Sequence, residues 1–581
     1  MHYLGLTKKI VSRPVQDPGV QFTDFHPVIK RILLARGIQD NNELQYTLSQ
    51  LPSPWLLSGM EAMVTHLIAA IEQQKKVIII ADFDADGATS CAVAIKGLRL
   101  LGAKNVSFIV PNRFEYGYGL TPEIVRLAAE ENPDILITVD NGISSIEGVA
   151  LANQLGMVVL VTDHHLAGEV LPEANAIVNP NLPDQEFSSG SLAGVGVIFY
   201  VLMALRNRLR EQDWFRQKEI KEPNLAQLLD FVALGTVADV VPLDYINRIL
   251  VYQGLQRMRS ESCHLGLKAL IEVAGRNQQT ITAVDLGFAI GPRINAAGRM
   301  DDMSLGIQCL LAEEFDFARQ MAMQLEEFNS DRKEVEGQMK TEAMVLLNEM
   351  KAFDETHLLA GICLYDENWH QGVIGILASR IKDRLHRPVI AFAKADNGEI
   401  KGSARSISGV HIRDVLSRIA TDHPKLLNKF GGHAMAAGLS IKISDLPPFS
   451  LAFNEIMEES MTDLDVSQKI YSDGELTEQE FTVEFALLLQ SFGPWGQEFP
   501  EPVFEGVFDV IQSRIVGKQH LKLVLRQPFG DLLIDAIAFF VEQPENWLGI
   551  RQIKSVYKLD INEYQGARNL QFILQYFEKM T

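Results

Sequence analysis

From about residue 60 the chain alternates short apolar runs with longer amphipathic stretches. "KVIIIADF", "NVSFIVPN", "DILITVDNG" and "MVVLVTDHH" are Val- and Ile-rich runs of strand length, while "TPEIVRLAAEE" and "SSIEGVALANQLG" between them have helical period. Near-continuous apolar strands alternating with helices predict a parallel sheet covered on both faces. Helical stretches follow at 191–210 and 225–234, the second running into "GTVADVVPL". Residues 312–351 hold one glycine and no proline and predict a long connecting helix. A second α/β pattern starts at "LLAGICLYD" and continues through "RPVIAFAKA" to about 441. From about 465 to 581 the pattern changes to short alternating strands separated by glycine turns, which predicts a small β-barrel of OB type. The expected fold class is therefore multidomain α/β with a C-terminal β-barrel.

Three of the first four strands end in chemistry: Asp82, Asp84 and Asp86 after the first, Asp140 after the third, and Asp163, His164 and His165 after the fourth. The carboxyl ends of strands in open α/β sheets line the ligand crevice, so these residues are expected to converge. Asp239 sits in an apolar context of its own.

Four readings of "DFDADGATS" compete. A calcium loop of EF-hand type needs glutamate at its twelfth position, where this chain has Val93, and a helix before it, where this chain has a strand pattern. A haloacid-dehalogenase-like phosphatase fits Asp82 and Asp84, but Asp86 stands where that family carries Thr or Val, and "DHH" is left unexplained. One of the three aspartates can cap the helix that follows, but not all three. A binuclear metal site uses them all. Asp82, Asp84, Asp86, Asp140, Asp163, His164, His165 and Asp239 offer oxygen and imidazole donors without a thiolate, which suits Mn2+ or Mg2+. Two such ions would polarise a phosphoryl group, supply a nucleophilic hydroxide and neutralise a leaving oxygen.

Composition narrows the partners. The 581 residues exceed one core, so several domains are expected. Net charge is −21, which speaks against a general nucleic-acid coat and leaves a local basic groove or bound cations as the means of holding nucleic acid. Four scattered cysteines without a CxxC, no signal-peptide core and no apolar run near the ~20 residues that span a bilayer predict a reducing cytoplasm and no membrane partner.

"DFDADGATS", "TVDNGIS", "TDHH" and "GTVADVVPL" resemble the four motifs of the DHH phosphoesterase superfamily, and the resemblance is to its branch of 5′-to-3′ exonucleases specific for single-stranded DNA. "PNRFEYGYGL", "GPRINAAGRM", "WHQGVIGILASR", "GSARS", "GGHAMAAGL" and "FGPWGQEFPEPVF" extend it over roughly 30–575. One departure is Ala81-Asp82-Phe83, where members often carry Gly-Asp-Tyr; the carboxylates are spared. The resemblance implies an N-terminal segment at 1–50, a DHH catalytic domain at 51–310, the long helix at 311–352, a DHHA1 domain at 353–462 and an OB-fold at 463–581. It places the metals and the 5′ end between the DHH and DHHA1 domains. It implies Asp82, Asp84, Asp140, His164 and Asp239 as ligands of two Mn2+ or Mg2+ ions, with Asp86 and His165 contributing to catalysis directly or through hydrogen bonds.

Arginine matches phosphate bidentately, and small residues let a backbone approach a ligand. Arg293, Asn295, Arg299, His370, Arg380, Ser403 and Arg405, and the turn Gly431, Gly432 and His433, are therefore the candidates for holding the DNA backbone and its 5′-phosphate. Arg113, Tyr116 and Tyr118 are candidates for stacking and pairing with unpaired bases, and Lys518, Lys522 and Arg526 for tracking the backbone along the barrel. The implied activity is degradation of single-stranded DNA to 5′-mononucleotides in repair and recombination. Single-strand-binding protein and a helicase are the implied partners. Another superfamily activity, on short oligonucleotides or cyclic dinucleotides, is the alternative.

Overall fold

The structure is a computed structural model that describes residues 8–15, 25–111, 119–350, 359–395, 398–462, 467–564 and 566–580. The chain divides into two compact units. One comprises residues 15–329 and 487–501, the other residues 1–14, 330–486 and 502–581. Strand β1 (Lys8–Ser12) belongs to the latter.

The first unit is built on a five-stranded, all-parallel sheet of β2 (Val77–Ala81), β3 (Val106–Ile109), β4 (Ile135–Val139), β5 (Val158–Thr162) and β6 (Ala176–Val178), in the order β3-β2-β4-β5-β6. Every residue of β2 and β4 is buried, as a strand covered on both faces requires. Helices Pro122–Glu130 and Ile146–Gln154 pack Ile124, Val125 and Val149 onto Ile78, Ile80, Leu136 and Val159. Helices Ala85–Leu100, Gly194–Glu211 and Leu229–Ala238 pack on one another and connect to the other side of the sheet. Register aligns the strand ends. Ala81 pairs with Val139, Val139 with Thr162, and Thr162 with Val178. The next residues, Asp82, Asp140, Asp163 and Asn179, therefore leave the sheet side by side.

Residues 487–501, which include the first ten residues of the "FGPWGQEFPEPVF" motif, also belong to this unit. Leu243 N–H donates to the Gln497 carbonyl at 2.8 Å, Arg36 Nε donates to the Pro500 carbonyl at 2.7 Å, and the Arg248 guanidinium lies 4.4 Å from the Phe499 ring centre.

The second unit holds a mixed sheet of β7 (Ile362–Asp366), β8 (Val389–Lys394), β9 (Glu399–Arg405), β10 (Lys429–Gly432) and β11 (Ala436–Lys442), in the order β10-β11-β9-β8-β7. Strand β12 (Gln468–Ser472) pairs with β1 in parallel. Strands β13 (Phe504–Val516), β14 (His520–Arg526), β15 (Ile534–Ala538), β16 (Gln552–Tyr564) and β17 (Ala567–Lys579) close a barrel in the order β13-β14-β15-β17-β16. Phe504, Phe508, Tyr557 and Phe572 fill it, Tyr557 stacking on Phe572 at 4.2 Å. The parallel sheet and the C-terminal barrel agree with the pattern read from sequence. Among the described residues, no single helix is long and apolar enough to cross a membrane.

Candidate active site

The strand ends create the site. The turn after β2 starts helix Ala85–Leu100, and Asp84 is its N-cap: one carboxylate oxygen accepts the amides of Asp86 and Gly87 at 2.9 and 3.0 Å. Asp86, 1% exposed, accepts the amides of Gly194 and Val195 at 2.6 and 3.0 Å, at the start of helix Gly194–Glu211. Asp140 follows β4 in a left-handed conformation (φ 62°), which aspartate tolerates better than most side chains. Gly194 allows this approach, because a methyl group there would lie 2.6 Å from the Asp140 Cβ.

Asp163 is an orienting residue. Its Oδ1 accepts the amides of His164 and His165 and meets His165 Nδ1 at 2.7 Å, and its Oδ2 accepts the Ile143 amide. The His165 Nδ1 is thereby held on the carboxylate, which fixes the orientation of the ring. His164 Nε2 lies 3.1 Å from Asp140 Oδ1 and 3.4 Å from an oxygen of Asp239, the residue that ends helix Leu229–Ala238.

Three donor trios result, each with ligand atoms within 4.8 Å of one another: Asp82, Asp84 and Asp140; Asp140, His164 and His165; and Asp86, His164 and Asp239. They share Asp140 and His164, as a site for two adjacent cations would. The charges demand such cations. Burial, and then the neighbouring carboxylates, drive Asp140 and Asp239 well above the usual carboxylate range. Burial and Asp84 push Asp86 up to about 7 despite its two backbone hydrogen bonds. For His165, burial acts downward but is outweighed by Asp163, Asp82 and Asp84, which bring it to about 9. A set of oxygen and imidazole donors that repel one another when empty fits hard divalent cations.

Sequence reasoning missed several residues that hold these donors. Asn179 and Asn181 donate to the carbonyls of His165 and His164. They follow β6, a three-residue strand, so "AIVNPN" is a fifth strand end that the same logic reaches. Asn141 bridges the carbonyls of Ile80 and Val139. Asn247, fully buried, donates to the Ser191 carbonyl at 2.6 Å and the Pro242 carbonyl at 2.8 Å, tying the segment before Gly194 to the segment after Asp239.

The candidate DNA contacts divide. Asn295 accepts the Ala85 amide at 2.7 Å and so braces the aspartate turn. Arg293 is buried on Glu326, with Nε 2.6 Å from a carboxylate oxygen and Nη1 on the Ala289 carbonyl. Arg299 is half-buried in the last turn of helix Gly291–Met300. Arg113, Tyr116 and Tyr118 lie outside the described residues.

In the second unit, Arg380 pairs with Glu336 at 2.9 Å, and His370 Nδ1 accepts the Gly372 amide. Gly431, Gly438 and Ser403 stand in one row across β10, β11 and β9, and Arg405 lies two residues along β9 on the same face. Nothing would meet a Cβ at Gly431 or Gly438 within 4 Å, so this part of the sheet is open; Gly432 and His433 continue into the turn. Arg405 donates to Ser403 Oγ and the Ala404 carbonyl, and burial pulls its pKa down. It underlies the first turn of helix Ile374–Leu385: a methyl group at Gly375 would lie 2.8 Å from Nη2. Among the described residues it makes no ion pair. On the barrel, Lys522 pairs with Asp535 and Arg526 with Asp509.

Residues 76–236 match the DHH family, N-terminal domain, and 356–459 match the DHHA1 domain, which gives the class the strand-end carboxylates point to. Residues 472–576 match the RecJ OB domain. The single-stranded-DNA-specific exonuclease RecJ of Salmonella typhimurium is 50% identical over 555 residues, covering 95% of this chain and 96% of that protein. The crystal structure of RecJ in complex with Mn2+ from Thermus thermophilus superposes with a TM-score of 0.77 at 28% identity, over 96% of this chain and 76% of that one. Its Mg2+ complex gives 0.72 at 27%, over 96% and 75%. The chain belongs to the RecJ family of single-stranded-DNA-specific exonucleases, a family of hydrolases.

Proposed function

We propose that this protein degrades single-stranded DNA from the 5′ end, releasing 5′-mononucleotides, in DNA repair and recombination. The observation that carries the chemistry is the set of donor trios sharing Asp140 and His164. Asp82, Asp84, Asp140, His164 and Asp239 hold two divalent cations, Mn2+ or Mg2+, and Asp86 fixes the helix start against which Asp140 rests. When bound, such ions polarise the phosphodiester and lower the pKa of water. His165, oriented by Asp163, hydrogen-bonds a phosphate oxygen through Nε2.

Arg405 and Ser403 receive a backbone or terminal phosphate. A guanidinium under a helix N-terminus is repelled by the helix dipole, and an anion between them relieves both. The open row Gly431-Gly438-Ser403 lets the strand approach the sheet. A helicase and a single-strand-binding protein deliver the strand.

The test uses strands labelled at the 5′ or the 3′ end, a duplex and a dinucleotide, each with Mn2+, Mg2+ or chelator. Metal-dependent release of labelled mononucleotide at once from the 5′-labelled strand, and only late from the 3′-labelled one, is expected. Turnover in chelator, or of the dinucleotide alone, overturns the reading.

A further inference from the structure

Residues 286–290 form a π-helical turn, Leu286–Ile290, in which the Gly291 amide donates to the Leu286 carbonyl. Such turns are rare and collect at functional sites. This one carries Phe288, whose side chain is in solvent at 83% exposure, while Leu286, Ala289 and Ile290 are buried.

The turn is anchored to the carboxylate site at both ends. On one side it lies along the last turn of helix Leu229–Ala238: a methyl group at Gly287 would be 3.4 Å from Val237 Cγ1, and one at Gly291 would be 3.1 Å from the Ala238 Cβ. The next residue is Asp239, followed by Val240, itself 62% exposed at φ 61°. On the other side the turn continues into helix Gly291–Met300, which grips the aspartate turn. Asn295 accepts the Ala85 amide, and a methyl group at Gly298 would lie 2.0 Å from the Phe83 carbonyl oxygen. The turn is also braced from within. Arg293 donates to the Ala289 carbonyl and is held by Glu326. This half-buried ion pair fixes backbone that carries a bare aromatic ring on a turn packed against the residues preceding Asp239.

We propose that Phe288 is a base-stacking residue: its ring takes the face of an unpaired nucleobase of the strand whose phosphates enter the carboxylate site. This deepens the nuclease reading and rests on it for the identity of the strand. Every base has a π-face, so a stack is indifferent to sequence, and a base in a duplex is already stacked on its neighbours. Phe288 would thus favour single strands without reading their sequence.

The test compares the wild type with Phe288→Ala and Phe288→Trp on 5′-phosphorylated oligothymidylate in which one abasic residue is moved stepwise from the 5′ end. Binding is followed by fluorescence anisotropy in chelator, and KM and kcat in Mn2+. Phe288→Ala is expected to weaken binding and raise KM about 5- to 160-fold, the range of one base–aromatic stack, with kcat little changed. Phe288→Trp should retain wild-type binding. One abasic position should weaken the wild type by a similar factor and leave Phe288→Ala indifferent. Wild-type binding by Phe288→Ala, or abasic and Phe288→Ala losses that multiply at every position, overturns the stacking role. A wild type that binds the strand without cutting it overturns the nuclease reading instead, and the binding arm still decides Phe288. A wild type that does not bind the strand overturns both. With the side chain in solvent, the thermal midpoint of Phe288→Ala should match the wild type.

Discussion

Asp86 accepts the Gly194 amide across 108 positions of sequence and, with the Val195 amide, holds a helix start against Asp140. Helix Gly194–Glu211 begins against the Asp140 side chain, with no room for a Cβ. Gly194→Ala should therefore displace a shared metal donor. Misplacement of about 1 Å can cost about 100-fold in rate, so kcat should fall by that order and Mn2+ titration should show weaker binding. Wild-type kcat and Mn2+ affinity would remove Gly194 from this role.

Asp140→Asn keeps the shape and tolerates the left-handed backbone but removes one of several mutually repelling carboxylates. The metal-free variant should unfold at a higher temperature than the metal-free wild type, yet show no nuclease activity. Scanning calorimetry in chelator measures this; a lower midpoint contradicts the electrostatic account.

The same repulsion gives a pH dependence. Asp86 titrates near 7 in the folded protein against 3.8 for an ordinary aspartate, so between about 4 and 7 the folded state binds more protons than the unfolded. His165, raised from 6.5 to about 9, does the same from 6.5 to 9. Both contributions lower stability as pH rises. Asp163, held below its ordinary value by His165 against the upward push of burial, acts oppositely, but only under about pH 4. Metal-free protein should lose stability steadily from pH 4 to 9, and Mn2+ should flatten that slope. Denaturant midpoints across this range, with and without Mn2+, check it.

Arg405 and Arg380 should behave differently although both are arginines in family-like motifs. Arg405→Ala removes a cation with no carboxylate partner among the described residues, so the slope of log affinity against log salt should fall by about 0.7 for a single strand. Arg380 is committed to Glu336, and Arg380→Ala should leave the slope unchanged. Equal slopes for both variants would take Arg405 off the phosphate path.

Asn247→Ala breaks two buried hydrogen bonds between the segments carrying Gly194 and Asp239. It should cost about 1–3 kcal/mol in stability and also weaken Mn2+ binding in the folded protein. A stability loss with unaltered Mn2+ affinity would make Asn247 a core residue only.

The strand ends were readable because a parallel strand buried on both faces is an unbroken apolar run, and a charge marks where it stops. The same logic extends to Asn179 after β6, whose three residues give too short a run to announce a strand. Arg293 could not be read: its motif suggests a phosphate ligand, but Glu326, 33 positions away on another helix, claims the guanidinium. Lys522 and Arg526 are alike, since their partners Asp535 and Asp509 are set by barrel geometry.

The sequence by itself determined the sheet, the barrel and the carboxylate and imidazole inventory, because these follow from local periodicity and residue type. Only the tertiary structure decided the division of labour among Asp82, Asp84 and Asp86. Asp84 caps its own helix, Asp86 grips the start of another, and Asp82 leaves the sheet in line with Asp140. Register and helix packing bring backbone amides from distant segments to particular oxygens, and no pattern along the chain encodes which oxygen each will reach.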